Sequence, residues 1–154
     1  MTERLIAHEV FGFLRPDQVD AISDRAERVR LPAGATVYER GIKAEYLYTV
    51  LDGEVTLRLP GKGGLSVIID QLRRGDMFGS CVCFQRDSYA LTAQCTKDSE
   101  LLKIESTALK RLMDDDLRMG YALQTRISAV YFGRYIETMR KLQAITLSLP
   151  IEAG

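Results

Sequence analysis

Between residues 27 and 104 the sequence alternates short apolar runs with turns that contain glycine. The pair Asp52-Gly53 separates the run that ends at Leu51 from the alternating run that begins at Val55, and this is a strong signal for a β-hairpin. Further glycine turns lie at Gly34, Gly41, 61–64 and Gly75. Short strands punctuated in this way are typical of a β-sandwich or jelly roll.

Helical patterns flank this region on both sides. Residues 2–25 carry apolar residues at helical spacing, with Pro16 in a position that a first helical turn tolerates. After Ile104, Ser106 is a candidate N-cap, and Asp114 to Asp116 suit the start of a further helix. That helix is predicted to run from about Leu117 to Ile145.

We therefore predict a mainly β fold with flanking helices, arranged as one domain over residues 1–145. Its core is a jelly roll, or double-stranded β-helix, with an N-terminal helical cap and a long C-terminal helix. The predicted parts are a cap over 1–28, the β-roll over 29–104, helices over 105–145 and a tail over 146–154.

The predicted long helix carries more apolar surface than one packing face requires. A helix on the surface of a monomer needs a single apolar stripe, so this helix either lies in a deep groove or also contacts a partner. Because two-fold pairing is the commonest oligomer, we predict a homodimer through this helix. The predicted dimer residues are Ile127, Tyr131, Tyr135 and Leu142, with Tyr121 and Phe132 as further aromatic anchors.

The composition of the sequence argues against some classes of function. The 21 basic and 21 acidic residues balance, which argues against a nonspecific nucleic-acid binder. No segment approaches about 18 consecutive apolar residues, and the N-terminus lacks the features of a signal peptide. These observations predict a cytoplasmic protein without a membrane span.

No pattern of catalytic residues is present in the sequence. It contains no nucleophile elbow, no phosphate-binding loop of the nucleotide hydrolases and only one histidine, His8, so we predict no enzymatic activity. Cys81, Cys83 and Cys95 lack the spacing of a structural zinc site, which indicates small buried apolar residues rather than metal ligands.

Three segments together resemble the cyclic nucleotide-binding domain family, which occurs in transcription activators and in protein kinase regulatory subunits. The segments are LPAGATVYERGIKAEYLYTVLDGEVTLRL at 31–59, LRRGDMFGS at 72–80 and SELLKIESTALKRLM at 99–113. A single glycine is a weak signal, whereas the ordered set of turns and strands is specific. The resemblance covers about residues 11–145.

The resemblance implies a phosphate-binding cassette in which the amides of a short helix hold a cyclic phosphate. In the family, a Glu after Phe-Gly binds the ribose, and an Arg nine residues later pairs with the phosphate. Here Ser80 and Tyr89 stand at those two positions, so the cassette is degenerate, and Arg86 is a candidate substitute cation. The predicted cassette residues are Phe78, Gly79, Ser80, Cys81, Arg86, Tyr89, Ala90 and Thr92.

The resemblance leaves several functions open. One is a non-enzymatic sensor that binds cyclic AMP, cyclic GMP or another small anion in the roll and signals through its C-terminal helix. Another is a ligand-free module for dimerisation or protein interaction, in which the ring of Tyr89 fills the pocket. A third is a thiol-based redox sensor or haem sensor that uses the cysteines. Nine residues follow Ile145, too few for a recognition helix, so we expect no direct DNA contact by this chain.

Overall fold

A computed structural model describes residues 11–145, apart from the side chains of Cys81 and Val82. Within this range the chain forms eight strands, which pair as two four-stranded antiparallel sheets. The strands are β1 Ala26–Leu31, β2 Thr36–Tyr38, β3 Tyr46–Asp52, β4 Val55–Pro60, β5 Ser66–Leu72, β6 Met77–Phe78, β7 Thr92–Cys95 and β8 Ser99–Glu105.

The order of the strands is that of a jelly roll. One sheet has the order β1-β8-β3-β6 and the other has β2-β7-β4-β5, so consecutive strands often lie in opposite sheets. The turn between β3 and β4 contains Gly53, whose φ of 90° is left-handed, and a Cβ there would collide with the Asp98 carbonyl and the Ser99 hydroxyl. The predicted hairpin at Asp52-Gly53 is wrong, because this turn carries the chain from one sheet to the other and β4 pairs with β5 instead. The predicted fold class is confirmed.

Strand β3 separates two apolar cores. Leu47 and Leu51 point to a core formed with the helices, while Tyr48 and Val50 point into the roll. This follows from the two-residue period of a strand whose two faces are both buried. The cassette region contributes Phe78 and Tyr89 to the core inside the roll, and its Cys83 packs against the core formed with the helices.

Three helices cover the first sheet: α1 Pro16–Ser23, α2 Ser106–Asp115 and α3 Leu117–Ala144. The carboxylate of Asp116 accepts a hydrogen bond from the amide of Met119 at 3.1 Å and so caps α3, as the acidic run predicts. No helix within residues 11–145 is long and apolar enough to cross a membrane.

The N-terminal cap differs from its prediction. Residues 11–14 form a turn rather than a helix, and α1 begins only at Pro16. Arg15 is extended (φ −65°, ψ 151°), the conformation that a following proline imposes. The predicted helical residues 2–10 lie outside the described part of the chain. The roll begins with β1 at Ala26, three residues before the expected start at 29.

The start of α2 also differs from its prediction. Ser106 is the first helical residue rather than the N-cap, because β8 continues through Glu105 directly into the helix. The amide of Ser106 donates instead to the carbonyl of Glu45 on the neighbouring segment at 2.7 Å.

Candidate functional site

The cassette begins where β6 ends. Phe78 is fully buried, Gly79 turns the chain with a φ of 79°, and Ser80 leads into a 3-10 helix at Cys81–Phe84. A Cβ on Gly79 would lie 3.0 Å from the carbonyl oxygen of Tyr46 and 3.3 Å from the ring of Tyr89. The turn therefore needs glycine both for its left-handed backbone and for its close contact with these groups.

The ring of Tyr89 lies inside the roll beside this turn. Its ring stacks on Tyr38, with centroids 3.5 Å apart and planes inclined by 9°. Its hydroxyl donates to the carbonyl of Tyr46 at 2.7 Å and accepts from the amide of Tyr46 at 3.1 Å. Tyr89 is 4% exposed. At the position where the family has its arginine, this chain thus has a packed and hydrogen-bonded aromatic ring.

Two further aromatic residues complete this part of the core. Tyr48 and Phe78 stack with centroids 5.2 Å apart, and Tyr38 approaches both rings at 6.0 Å. Burial raises the pKa of Tyr48 to about 12, and Tyr46 and Glu45 add to the shift. The hydroxyl of Tyr48 is therefore uncharged at neutral pH, and the cluster contributes no formal charge for an anion.

Ser80 occupies the position of the family's carboxylate and is completely buried. Within the described part of the chain its Oγ atom has no hydrogen-bond partner, while its amide donates to the hydroxyl of Tyr131 on α3 at 3.2 Å. The Tyr131 side chain on α3 thus accepts a hydrogen bond from a cassette amide that could otherwise bind a ligand oxygen.

The remaining predicted cassette residues do not converge on this point. Arg86 is exposed and lies in the wall of a different cavity, and Ala90 is exposed. Thr92 begins β7, where its hydroxyl accepts from the amide of Arg40 at 3.1 Å. Cys81 lies in the 3-10 helix, but its side chain is outside the described part of the structure.

Helix α3 closes over the cassette through several contacts. The amide side chain of Gln124 donates to the carbonyl of Cys83 at 2.9 Å, and the ring of Phe84 packs edge-on against Tyr131 at 4.9 Å. Arg134 forms an ion pair with Asp70 at 2.8 Å and lies over the Tyr131 ring. These contacts bind one side of α3 to the roll.

The predicted dimer face requires a correction. Ile127 is 1% exposed and belongs to the core beneath the helices, and Tyr131 contacts the cassette of its own domain. Both point to the roll because they lie on the same side of α3 as Arg134. Tyr135 and Leu142 are exposed as predicted. The exposed apolar row on this half of α3, called here the α3 seam, consists of Phe132, Tyr135, Met139 and Leu142.

The α3 seam has a spacing that sequence reasoning could have recognised. Its residues follow one another at intervals of three, four and three, which is the a/d pattern of a coiled coil. The rings of Phe132 and Tyr135 lie 6.0 Å apart. Met139 is the member that the predicted dimer set lacked.

The cysteines give little support to a thiol sensor. Cys95 is buried in the core of the roll, and burial raises the pKa of its thiol, only partly offset by a hydrogen bond with Ser99. A buried thiol with a raised pKa reacts slowly because little thiolate forms. Cys83 is half-buried.

A jelly roll with a glycine-turn cassette and a long closing helix defines the class of cyclic nucleotide-binding regulatory domains. The family described as "Cyclic nucleotide-binding domain" matches residues 28–116, more than half of the chain, and the chain belongs to this family. Family membership makes a cyclic nucleotide the candidate ligand.

The relatives that the chain resembles include regulators. It is 23% identical over 128 residues to the cAMP-activated global transcriptional regulator Vfr of Pseudomonas aeruginosa, covering 80% of this chain and 58% of Vfr. The chain thus spans little more than half of that relative.

Among solved structures, a cyclic nucleotide-binding domain from Methylobacillus flagellatus has a TM-score of 0.80 at 17% identity, over 95% of this chain and 83% of that one. The sensor domain of the transcriptional regulator DNR from Pseudomonas aeruginosa has a TM-score of 0.70 at 23% identity, over 99% of this chain and 95% of that one. At these identities the likeness shows the fold.

The residues present do not fit a cyclic nucleotide in the way that the family pattern requires. Tyr89 supplies no guanidinium and fills the space beside Gly79, and Ser80 supplies no carboxylate. The amide of Ser80 already donates to Tyr131. The cassette is retained as a fold element, but its side chains pack on one another.

Proposed function

We propose that this chain is a non-enzymatic regulatory domain of the cyclic nucleotide-binding family in which its own aromatic side chains take the place of the ligand. It acts through partner contacts of α3. The observation that carries this proposal is the stack of Tyr89 on Tyr38, with the Tyr89 hydroxyl bonded to Tyr46. A sensor that binds cyclic nucleotides is the competing hypothesis.

Entry of a nucleotide would carry a calculable cost. Moving the ring of Tyr89 breaks an aromatic stack of about 0.5–1.5 kcal/mol and two hydrogen bonds of about 0.5–1.5 kcal/mol each. The total of about 1.5–4.5 kcal/mol corresponds to a loss of affinity of about 10- to 2,000-fold. A phosphate without its guanidinium loses a further charge-assisted pair, about 2–5 kcal/mol. Both effects act against family-typical binding.

Calorimetric titration with cyclic AMP and cyclic GMP tests this proposal. We expect no saturable heat up to about 1 mM ligand with the unmodified chain. The double variant Ser80→Glu/Tyr89→Arg restores the family's two charged groups, and Tyr121→Arg, which introduces an arginine at an exposed tyrosine outside the α3 seam, is the control. Micromolar binding by the unmodified chain would refute the proposal and support the sensor. Binding by the double variant, with no binding by the unmodified chain or the control, would support the proposal.

The partner contact that we propose is self-association through the α3 seam. Phe132 and Tyr135 are 62% and 58% exposed, and Met139 and Leu142 are each 50% exposed. Two such rows can pair by knobs-into-holes packing about a two-fold axis. The opposite side of the helix already contacts the cassette, so the seam is the side that remains for a partner.

Sedimentation equilibrium at 10–100 µM (about the range in which moderate dimers form) tests this second step. We expect a dimer that the double variant Phe132→Glu/Met139→Glu converts to a monomer. Ile42→Glu, which places a glutamate on an exposed isoleucine outside α3, should leave the dimer intact. A monomeric unmodified chain, or a dimer that the seam variant leaves unchanged, would refute self-association through this face.

A further inference from the structure

A cavity lies outside the roll interior, next to the loop that leaves the cassette. It has a volume of about 650 Å³ and is bounded by the β2–β3 loop at 43–45, the loop at 85–87 that leaves the cassette, and the start of α2 at 105–107. This volume is in the usual range of small-molecule sites. The walls are fixed to one another, since the amide of Ala44 donates to the carbonyl of Asp87 at 2.8 Å.

The charged side chains of this cavity form no ion pairs with the described residues of the chain. Lys43 and Arg86 contribute two positive charges, and Glu45, Asp87 and Glu105 contribute three negative ones. None of these five side chains forms an ion pair with another residue in the described range 11–145. Five charged groups around one space, with both signs present, can bind a molecule that itself carries both signs.

The start of α2 adds polar groups to the same wall. Glu105 stands at the N-cap and makes no side-chain capping bond, so amides of the first turn lack that partner. Ser106, another residue of the wall, is 2% exposed, and its Oγ atom has no hydrogen-bond partner among the residues that the structure describes. In the facing loop, Gln85 has a left-handed φ of 59°, a conformation that residues other than glycine keep mainly where surrounding structure requires it.

We propose that this cavity binds a free α-amino acid in its zwitterionic form. Lys43, Arg86 and the first-turn amides of α2 that follow Ser106, whose own amide donates to Glu45, match the carboxylate, and the carboxylates of the wall match the ammonium group. The excess of one negative charge disfavours a phosphate dianion, and the described residues of the wall include no aromatic side chain on which a nucleobase could stack. The proposal does not depend on the state of the roll interior or of the α3 seam.

The test is a nitrogen–proton NMR titration of the full chain with each of the twenty L-amino acids up to about 10 mM, the weak end of the affinity scale. We expect saturable shifts for at least one of them, confined to the amides of 43–45, 85–87 and 105–107. The N-acetyl and the amide derivatives of that amino acid each lack one charge and should bind at least about tenfold more weakly, as for loss of a charged hydrogen bond.

Two matched variants decide whether the cavity is the site. Arg86→Met should weaken binding by about 10- to 100-fold. Arg111→Met removes the same charge from an exposed position of α2 outside the cavity and should leave binding unchanged. Absence of saturable shifts for all twenty amino acids would overturn the proposal. So would equal affinity of the two variants, since the shifts would then not depend on the cavity.

Discussion

Replacing Tyr89 by phenylalanine removes one oxygen atom and leaves the aromatic ring in place. In the structure that oxygen donates to the carbonyl and accepts from the amide of Tyr46, at 2.7 and 3.1 Å. Each such bond contributes about 0.5–1.5 kcal/mol net, and the backbone groups left behind are part-buried. We therefore expect Tyr89→Phe to lower the free energy of unfolding by about 1–3 kcal/mol. A loss of about 2 kcal/mol corresponds to a fall in Tm of about 4–8 °C for a chain of this size.

The assay is equilibrium unfolding in urea, followed by circular dichroism, with Tyr121→Phe as the matched control. Tyr121 is exposed on α3 and lies outside the α3 seam, so loss of its hydroxyl should change the free energy of unfolding by less than about 0.5 kcal/mol. If the two variants have equal stability, the Tyr89 hydroxyl is not bonded inside the roll. The reasoning that places this side chain in the nucleotide position would then be refuted.

Two other predictions concern the helix cap at Asp116 and the glycine turn at Gly53. The pKa of Asp116 lies below its usual value, mainly because its carboxylate accepts a hydrogen bond from the amide of Met119. The ionised carboxylate therefore stabilises the folded protein at pH values above the pKa that Asp116 has in the unfolded chain. This contribution is lost as the pH falls through the pKa of the folded state. Asp116→Ala should accordingly make stability less dependent on pH below about 4, as measured by urea unfolding at a series of pH values. Gly53→Ala should lower Tm more than Gly34→Ala, because both glycines have a positive φ but only at Gly53 would the new Cβ meet the Asp98 carbonyl; equal losses in thermal unfolding would contradict this.

The glycine turns and alternating runs predicted the roll well because they reflect local backbone requirements. The turn predicted at Asp52-Gly53 and the strand predicted from Val55 are both observed. The predicted hairpin is not, because β3 and β4 lie in different sheets, and local turn residues do not show which strand will pair with which. Strand β6 was not predicted as a strand, since two residues, Met77 and Phe78, are too short for a period to be visible. The start of the N-terminal cap failed at Pro16, where the restriction on the preceding residue outweighs helical spacing.

The candidate site shows a different limit. The positions of Ser80 and Tyr89 in the cassette could be read from the sequence, and so could the hypothesis that the ring fills the pocket. The partners of the ring, Tyr38 and the backbone of Tyr46, come from strands far away in the chain. Sequence periodicity placed Ile127 on an apolar face but did not show which side of that face contacts the roll. Such choices depend on tertiary packing.

The alternation of β3 between two cores has a consequence for how this chain can change over generations. Neighbouring positions such as Leu47 and Tyr48 pack in different cores. A substitution at Leu47 must fit against the helices, whereas a substitution at Tyr48 must fit the interior of the roll. A shift of the strand by a single residue would exchange the two sets at once and damage both cores. Insertions and deletions are therefore tolerable in the glycine turns but not within this strand. The helical layer and the roll must accordingly diversify by point substitution around a fixed register.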